Sequence, residues 1–380
     1  LCQGEIHLII SHIGCETKKI LIDLKKDTTL SIQMPHTVLG TIVVEGEQIN
    51  NSDFQSNSTL NRTTIENNSN KTLGGLIENE SGVNLMKNGS GISKPIVHGL
   101  YGNRVKIINN DIIQSGQVWG NGHAPEIDPL SADKITIIKG TSAIEYGAGN
   151  LGSIVLIEQK KIEKEPHLHG QINYSYESNG RGNNLNLRLE KYSKRIAWRI
   201  NGTIKKYGDK KSSTYFLNNT GYQEANFSLN LQKSWKEKLF LDIYTSTFNT
   251  RLGILRGSQV GNITALNNAL NAEIPDKTDS LFSYNIDAPK QEVNHHLAKL
   301  KLKYFFKENN SIIFLVAGQL NNRKEFDIRK GGRSVIPSVD LLQYTYNTEL
   351  KYTHSFKNLW KFKVGNQNII INNTNDPNTG

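Results

Sequence analysis

The feature that most constrains this chain is a strict two-residue alternation, sustained from about residue 167 to the end. Gly170, Ile172, Tyr174 and Tyr176 share one face of the first segment, and Gln171, Asn173, Ser175 and Glu177 share the other. Leu185, Leu187 and Leu189 oppose Asn186, Arg188 and Glu190. The pattern returns at 196–205, 225–231, 298–304 and 342–352. Side chains of a strand point alternately to its two faces, so each segment is a strand with one apolar and one polar side.

Two architectures satisfy such strands. A soluble β-sandwich buries the apolar faces in a common core. A transmembrane β-barrel turns them to lipid and keeps the polar faces inside. Three features favour the barrel. The segments run to about ten residues, where soluble strands average about five or six. Trp198, Tyr304, Phe306, Tyr352 and Trp360 lie toward strand ends, as an interfacial girdle requires. The gaps are uneven, with the longest at about 249–291, so short turns at one end and long loops at the other are expected.

Composition agrees. The chain of 380 residues has room for two or three domains. It is 36% hydrophobic, its mean hydropathy is −0.48, and no run of apolar residues is long enough for a membrane-spanning helix. A barrel that alternates lipid-facing and lumen-facing residues has a polar average. The excess of 45 basic over 35 acidic residues gives a net charge of +10. These bases are scattered singly through alternating strands, so no nucleic-acid partner is expected. Two cysteines exclude a disulfide scaffold and a Cys-based zinc finger. Cys2 and Cys15 either pair in an oxidising compartment or remain independent thiols. Residues 1–10 show no basic start followed by an apolar stretch, and the chain reads as a fragment or as a mature form missing both ends.

Ahead of the alternating half, short branched-residue strands at 6–10 and 19–24 read as the tail of a small β-domain that closes at Pro35. An apolar stretch at 40–46 precedes a segment rich in Asn and Ser at 50–70, expected to be a flexible or weakly ordered connection. Residues 71–158 are denser. Leu73, Leu76 and Ile77 have helical spacing, and strands are predicted at 105–108, 134–138 and 153–157. This is a compact α+β domain.

Gly147, Gly149 and Gly152 match the dinucleotide fingerprint, but a strand follows where the fingerprint needs a helix N-terminus. They are assigned instead to a tight reversal between strands. No P-loop, zincin, hydrolase-elbow or EF-hand pattern is present, and no enzyme activity is expected. His295 and His296 are adjacent in a strand, point to opposite faces and cannot chelate one metal. The loop at 117–129 differs. His123, Glu126 and Asp128 fall within it, with Trp119 and Asn121 alongside. Imidazole and carboxylate suit zinc and other first-row divalent ions. The alternative is a rigid structural loop whose carboxylates cap backbone groups.

These residues resemble a known family, the TonB-dependent outer-membrane receptors. Leu73 through Val83 resembles the opening of the family's plug domain. Pro95, Ile96, Val97, His98, Gly99 and Leu100 resemble its central motif, with His98 where the family usually carries Arg. The run from Ile137 through Gly140, Tyr146 and Gly147 to Gly152 and Val155 resembles its closing motif. Residues 1–33 resemble the end of a carboxypeptidase-regulatory-like β-sandwich, and Thr41, Ile42, Val43 and Val44 resemble a TonB box.

The resemblance implies a mainly β fold: a transmembrane antiparallel barrel, incomplete in this chain, with an α+β plug and a short N-terminal β-sandwich remnant. The implied boundaries are 1–33 for the remnant, 34–70 for the TonB-box and linker region, 71–160 for the plug and 161–380 for the barrel part. The residues after 167 suffice for about nine strands of about ten residues plus loops, short of the ~22 of such a transporter. It further implies a TonB-driven importer in the outer membrane of a Gram-negative bacterium. Its partners are the TonB complex, outer-membrane lipid and a small-molecule or metal substrate, with no required cofactor. In zinc-uptake members a loop like 119–128 contacts metal through an Asp–His pair. Here only His123 carries over, Gly122 stands at the Asp position, and Asn121, Glu126 or Asp128 is left to substitute. The expected cargo is a transition metal, zinc-like, or a metal chelate such as a siderophore complex. The alternatives are a glycan or peptide importer and, in another class, a non-transporting surface adhesin or signalling receptor.

Overall fold

The computed structural model describes residues 4–10, 18–33, 57–89, 91–116, 122–140, 143, 146–147, 153–256, 262–274, 278–307, 310–356 and 360–376. The chain divides into two compact units, Leu1–Asp53 and Phe54–Gly380. In the first, β1 (Gly4–Ile10) pairs antiparallel with β2 (Lys18–Leu24). Cys2, Cys15 and the segment Thr41 to Val44 lie outside the described residues.

The second unit holds a central domain and a large sheet. The central domain comprises β3 (Asn57–Asn61), α1 (Arg62–Asn67), α2 (Leu73–Ile77), β4 (Val83–Lys87), β5 (Ser93–Val97), β6 (Val105–Asn109), β7 (Ile112–Ile113), β8 (Lys134–Lys139) and β9 (Ser153–Glu158). Five of its strands form one sheet in the order β3-β8-β9-β6-β7, with β6 and β9 parallel and the other pairs antiparallel. Ile65, Leu73, Ile77, Leu130, Ile135, Ile137, Val155 and Ile157 are buried together as its core.

The segment 57–70 corrects the expected flexible connection. Residues 57–61 pair with β8, and the Asn61 side chain accepts from the Thr64 N–H at 2.9 Å to cap α1. Leu60 and Ile65 are buried in the core. An average over an Asn/Ser-rich window hides two apolar residues placed where the core needs them, and it reads capping asparagines as disorder.

The large sheet has nine strands: β10 (Leu168–Glu177), β11 (Gly182–Lys191), β12 (Ala197–Tyr207), β15 (Tyr222–Trp235), β16 (Leu239–Gly253), β18 (Lys290–Lys307), β19 (Asn310–Phe326), β20 (Val339–Phe356) and β21 (Trp360–Asn375). Neighbours pair antiparallel in chain order, and this wall packs around the central domain. The small strands β13 (Lys210–Lys211), β14 (Phe216–Leu217) and β17 (Thr278–Asp279) form a separate three-stranded sheet in the loops. Five residues or fewer separate β11 from β12, β15 from β16, β18 from β19 and β20 from β21, whereas the connections after β12, β16 and β19, at the opposite end, are long. The longest connection carries α3 (Ile263–Asn271).

Wall polarity separates the two architectures left open by the sequence. Ile172 is 70% exposed and Ile204 62%, whereas Asn184 and Asn186 are fully buried. A sandwich would show the reverse. Outward-facing Trp235, Tyr304, Phe306, Phe356 and Trp360 collect near the short-turn end, while Tyr174, Tyr176, Tyr344 and Tyr346 are exposed farther along the strands. Tyr344 and Tyr352 lie eight residues apart on β20, or ~27 Å along a strand rising ~3.4 Å per residue. That matches an apolar band ~25 Å tall between two aromatic girdles.

Candidate functional site

The chemistry-bearing side chains of the central domain gather where it meets the wall. Glu126 lies between β7 and β8, beside the inward faces of β18 and β19. Its carboxylate accepts from the Arg323 guanidinium and the Asn321 amide, and His295 Nδ1 lies 3.4 Å away. All four side chains are buried. Burial pushes the Glu126 carboxyl up, but the Arg323 charge, with His295 and Asn321, overcomes this and holds it below the ordinary carboxylate range. Gln114 stands 3.1 Å from the other ring nitrogen of His295. Gln319 clasps the β7 end from both sides, accepting from the Ser115 N–H and donating to the Ile113 carbonyl, each at 2.9 Å.

Two further contacts repeat this logic. Asp133 meets Arg188 of β11 at 2.7 Å and Arg199 of β12 at 3.3 Å. Asp111 meets Lys299 at 3.2 Å and Lys301 at 2.9 Å, both on β18. Burial would raise the Asp111 carboxyl, but Lys301 and Lys299 outweigh it and hold it at about 2. At each contact the central domain supplies the acid and the wall the base.

Asp128 is also engaged. Its Oδ1 accepts from the Leu130 N–H at 3.0 Å, capping the short 3-10 turn Pro129–Ser131. Its Oδ2 accepts from Thr203 at 2.6 Å and Asn201 at 3.2 Å. His123 Nε2 stands 2.9 Å from Glu325 Oε1, near the long-loop end of β19. Trp119 and Asn121 lie outside the described residues. His123, Glu126 and Asp128 thus each have different partners. Among the described residues no group of three or more His, Cys, Asp or Glu side chains is disposed to hold a metal.

His98 and Gly99 form an exposed turn with φ of 49° and 78°. Gly140 and Gly147 also take positive φ, and Tyr146 packs against the buried cluster of Ile108, Ile138, Ala143 and Ile154. Gly152 lies outside the described residues. Sequence reasoning passed over Asp111, Asp133, Arg323 and the inward role of His295. The alternation already placed 295 on one face and 296 on the other, but which polar face met a buried carboxylate needed the packing of the central domain.

A polar-lined, apolar-backed wall of nine strands packed against an acid-bearing domain is the arrangement of one part of a plugged membrane barrel. Residues 50–154 match the family model described as the TonB-dependent Receptor Plug Domain. The copper transporter OprC is similar in structure, with a TM-score of 0.63 at 14% identity over 84% of this chain and 46% of that one. So is the siderophore receptor PirA from Acinetobacter baumannii, with a TM-score of 0.63 at 15% identity over 84% of this chain and 48% of that one. The ferric citrate transporter FecA gives 0.63 at 11% identity over 84% and 48%. The chain spans about half the length of these solved proteins. Residues 50–154 thus carry the plug domain of TonB-dependent receptors, and the rest of the described chain shares the fold of these solved transporters and receptors.

Proposed function

We propose that the protein imports a metal-containing substrate across the outer membrane, driven by the TonB complex engaging Thr41 to Val44. The observation that carries this reading is the plug held against the lumen side of the wall by three acid–base contacts. Such a barrel conducts only after the plug has been moved, so transport needs an energy source, and an extended β-branched segment suits strand addition to a partner. The similar proteins support the cargo class, being a copper transporter, a siderophore receptor and a ferric citrate transporter.

If the cargo includes a bare zinc-like ion, His123 and Glu325 are the pair to receive it, since Glu126 and Asp128 are committed to structural contacts. Two experiments test the reading. A deletion strain should grow poorly under metal limitation and recover with zinc, iron or copper, and the metal that restores growth names the cargo. Growth indifferent to all three would refute a metal substrate. In calorimetry on the full-length receptor, His123→Ala should weaken zinc binding far more than His296→Ala. Equal binding would leave a chelate as the cargo.

A further inference from the structure

The wall register also exposes a cationic patch on its outer face. Lys205 points inward and is buried beside Glu224 at 3.3 Å. Lys206, the next residue, therefore points outward, and it is exposed. Below it on the same face lie the exposed apolar side chains of Ile204, Leu185 and Phe227. Arg181, in the turn between β10 and β11, and Lys211 are exposed at the same long-loop end.

Each of these three cations sits over an aromatic ring. Arg181 is 4.2 Å from the centroid of Phe282, Lys206 is 5.1 Å from that of Tyr284, and Lys211 is 5.7 Å from that of Phe216. The rings form an edge-to-face chain, Phe216 to Phe282 at 5.7 Å and Phe282 to Tyr284 at 4.8 Å. The Tyr284 hydroxyl donates to the Arg181 carbonyl at 2.8 Å. A Cβ at Gly208 would lie 2.4 Å from the Phe282 ring, so only glycine lets that ring seat. The cations are thus held on a built platform. Nearby carboxylates are occupied: Glu177 by Lys210, Glu224 by Lys205, Asp209 by the Thr220 N–H and Asp279 by the Asn218 amide.

We propose that Arg181, Lys206 and Lys211 bind the phosphate groups of a phosphorylated glycolipid in the surrounding outer leaflet. This rests on the outer-membrane reading above. Cations immediately above a lipid-facing apolar belt meet headgroup phosphates while the belt meets acyl chains, a geometry that a free phosphate ion does not use.

The test uses the full-length receptor in neutral detergent, with diphosphoryl lipid A as probe and its dephosphorylated form as comparison, read by native mass spectrometry. Phosphorylated lipid should bind preferentially. Arg181→Gln/Lys206→Gln/Lys211→Gln should weaken it roughly a hundredfold, each base at an anionic surface contributing about fivefold. Arg329→Gln/Lys330→Gln/Arg333→Gln, in another loop at the same end, should change it less than threefold. Equal binding of the two lipids, or equal losses in the two triple variants, overturns the proposal. Displacement by millimolar inorganic phosphate assigns the patch to the free anion and overturns it too. If the triple variant fails to fold, Lys206→Gln alone decides, with a roughly fivefold loss expected and an unchanged affinity fatal. Heat-modifiable gel mobility separates the two levels: a wild type without it overturns the barrel reading, whereas a folded receptor indifferent to lipid phosphate overturns only this site.

Discussion

Replacing Glu126 with Ala should loosen the loop between β7 and β8 from the wall. Among the described residues Arg323 would keep only Gln291, accepting at 3.1 Å, and Glu325 at 4.0 Å, while its side chain stays 1% exposed. Asn321 and His295 would lose the carboxylate they share. Removing one partner of a buried ion pair costs about 3–5 kcal/mol, because the remaining charge is left uncompensated. Glu126→Gln keeps the volume but turns an amide donor toward Arg323 or Asn321, so it should also destabilise. Glu126→Leu/Arg323→Met removes both charges and should restore most of the loss. The assay is hydrogen exchange of the amides at 122–131 in the full-length receptor. At about 1.36 kcal/mol per decade, Glu126→Ala should accelerate exchange roughly 150- to 5,000-fold. Exchange within threefold of wild type, or a double variant as open as the single one, would refute the claim that this cluster fastens the plug.

The Asp111 contact should titrate in acid. Its carboxyl is held at about 2, below its ordinary 3.8, so its contribution is complete above about pH 4 and is lost as pH falls toward 2. Exchange protection at 105–113, corrected for the intrinsic rate, should therefore be flat from pH 8 to 5 and decline below 4, and Asp111→Asn should abolish that decline; an unchanged profile in the variant would contradict the assignment. On the wall, Leu300→Arg turns a charge to lipid at a cost of about 2–4 kcal/mol near mid-bilayer and should impair assembly. Inward-facing Lys303→Gln should assemble normally, as read by heat-modifiable mobility, and equal assembly of the two would break the register. Val43→Pro removes a backbone donor from the strand proposed to pair with TonB, so substrate binding should persist while uptake stops. Continued uptake would place the box elsewhere.

The wall was legible because its signal is local. Strand identity, facing and the contrast between short turns and long loops all follow from alternation and spacing, as at 170–177 and 342–352. Strand length was less so, since β18 and β20 each run to 18 residues and carry beyond the apolar band. The site was legible only as residue types. Glu126 and Asp128 were singled out as carboxylates beside a histidine, and the cap by Asp128 follows from its place before Pro129. That Glu126 answers Arg323, 197 residues away, is a long-range pairing for which one sequence holds no signal.

The position of β3 has a mechanical meaning. It is the first strand of the plug sheet and lies at one edge, bonded among the described residues to β8 alone. Tension arriving through the chain ahead of Asn57 would load that strand before any other. An edge strand gives way by losing its ladder bonds a few at a time, whereas an interior strand must shear past two neighbours. The acid–base fastenings at Glu126, Asp111 and Asp133 all lie beyond β3 in the chain, outside this first line of load. Pulled from that side, the plug would behave as a graded fuse: a modest pull would unravel its leading strand while the rest stayed riveted, and only sustained force would reach the rivets.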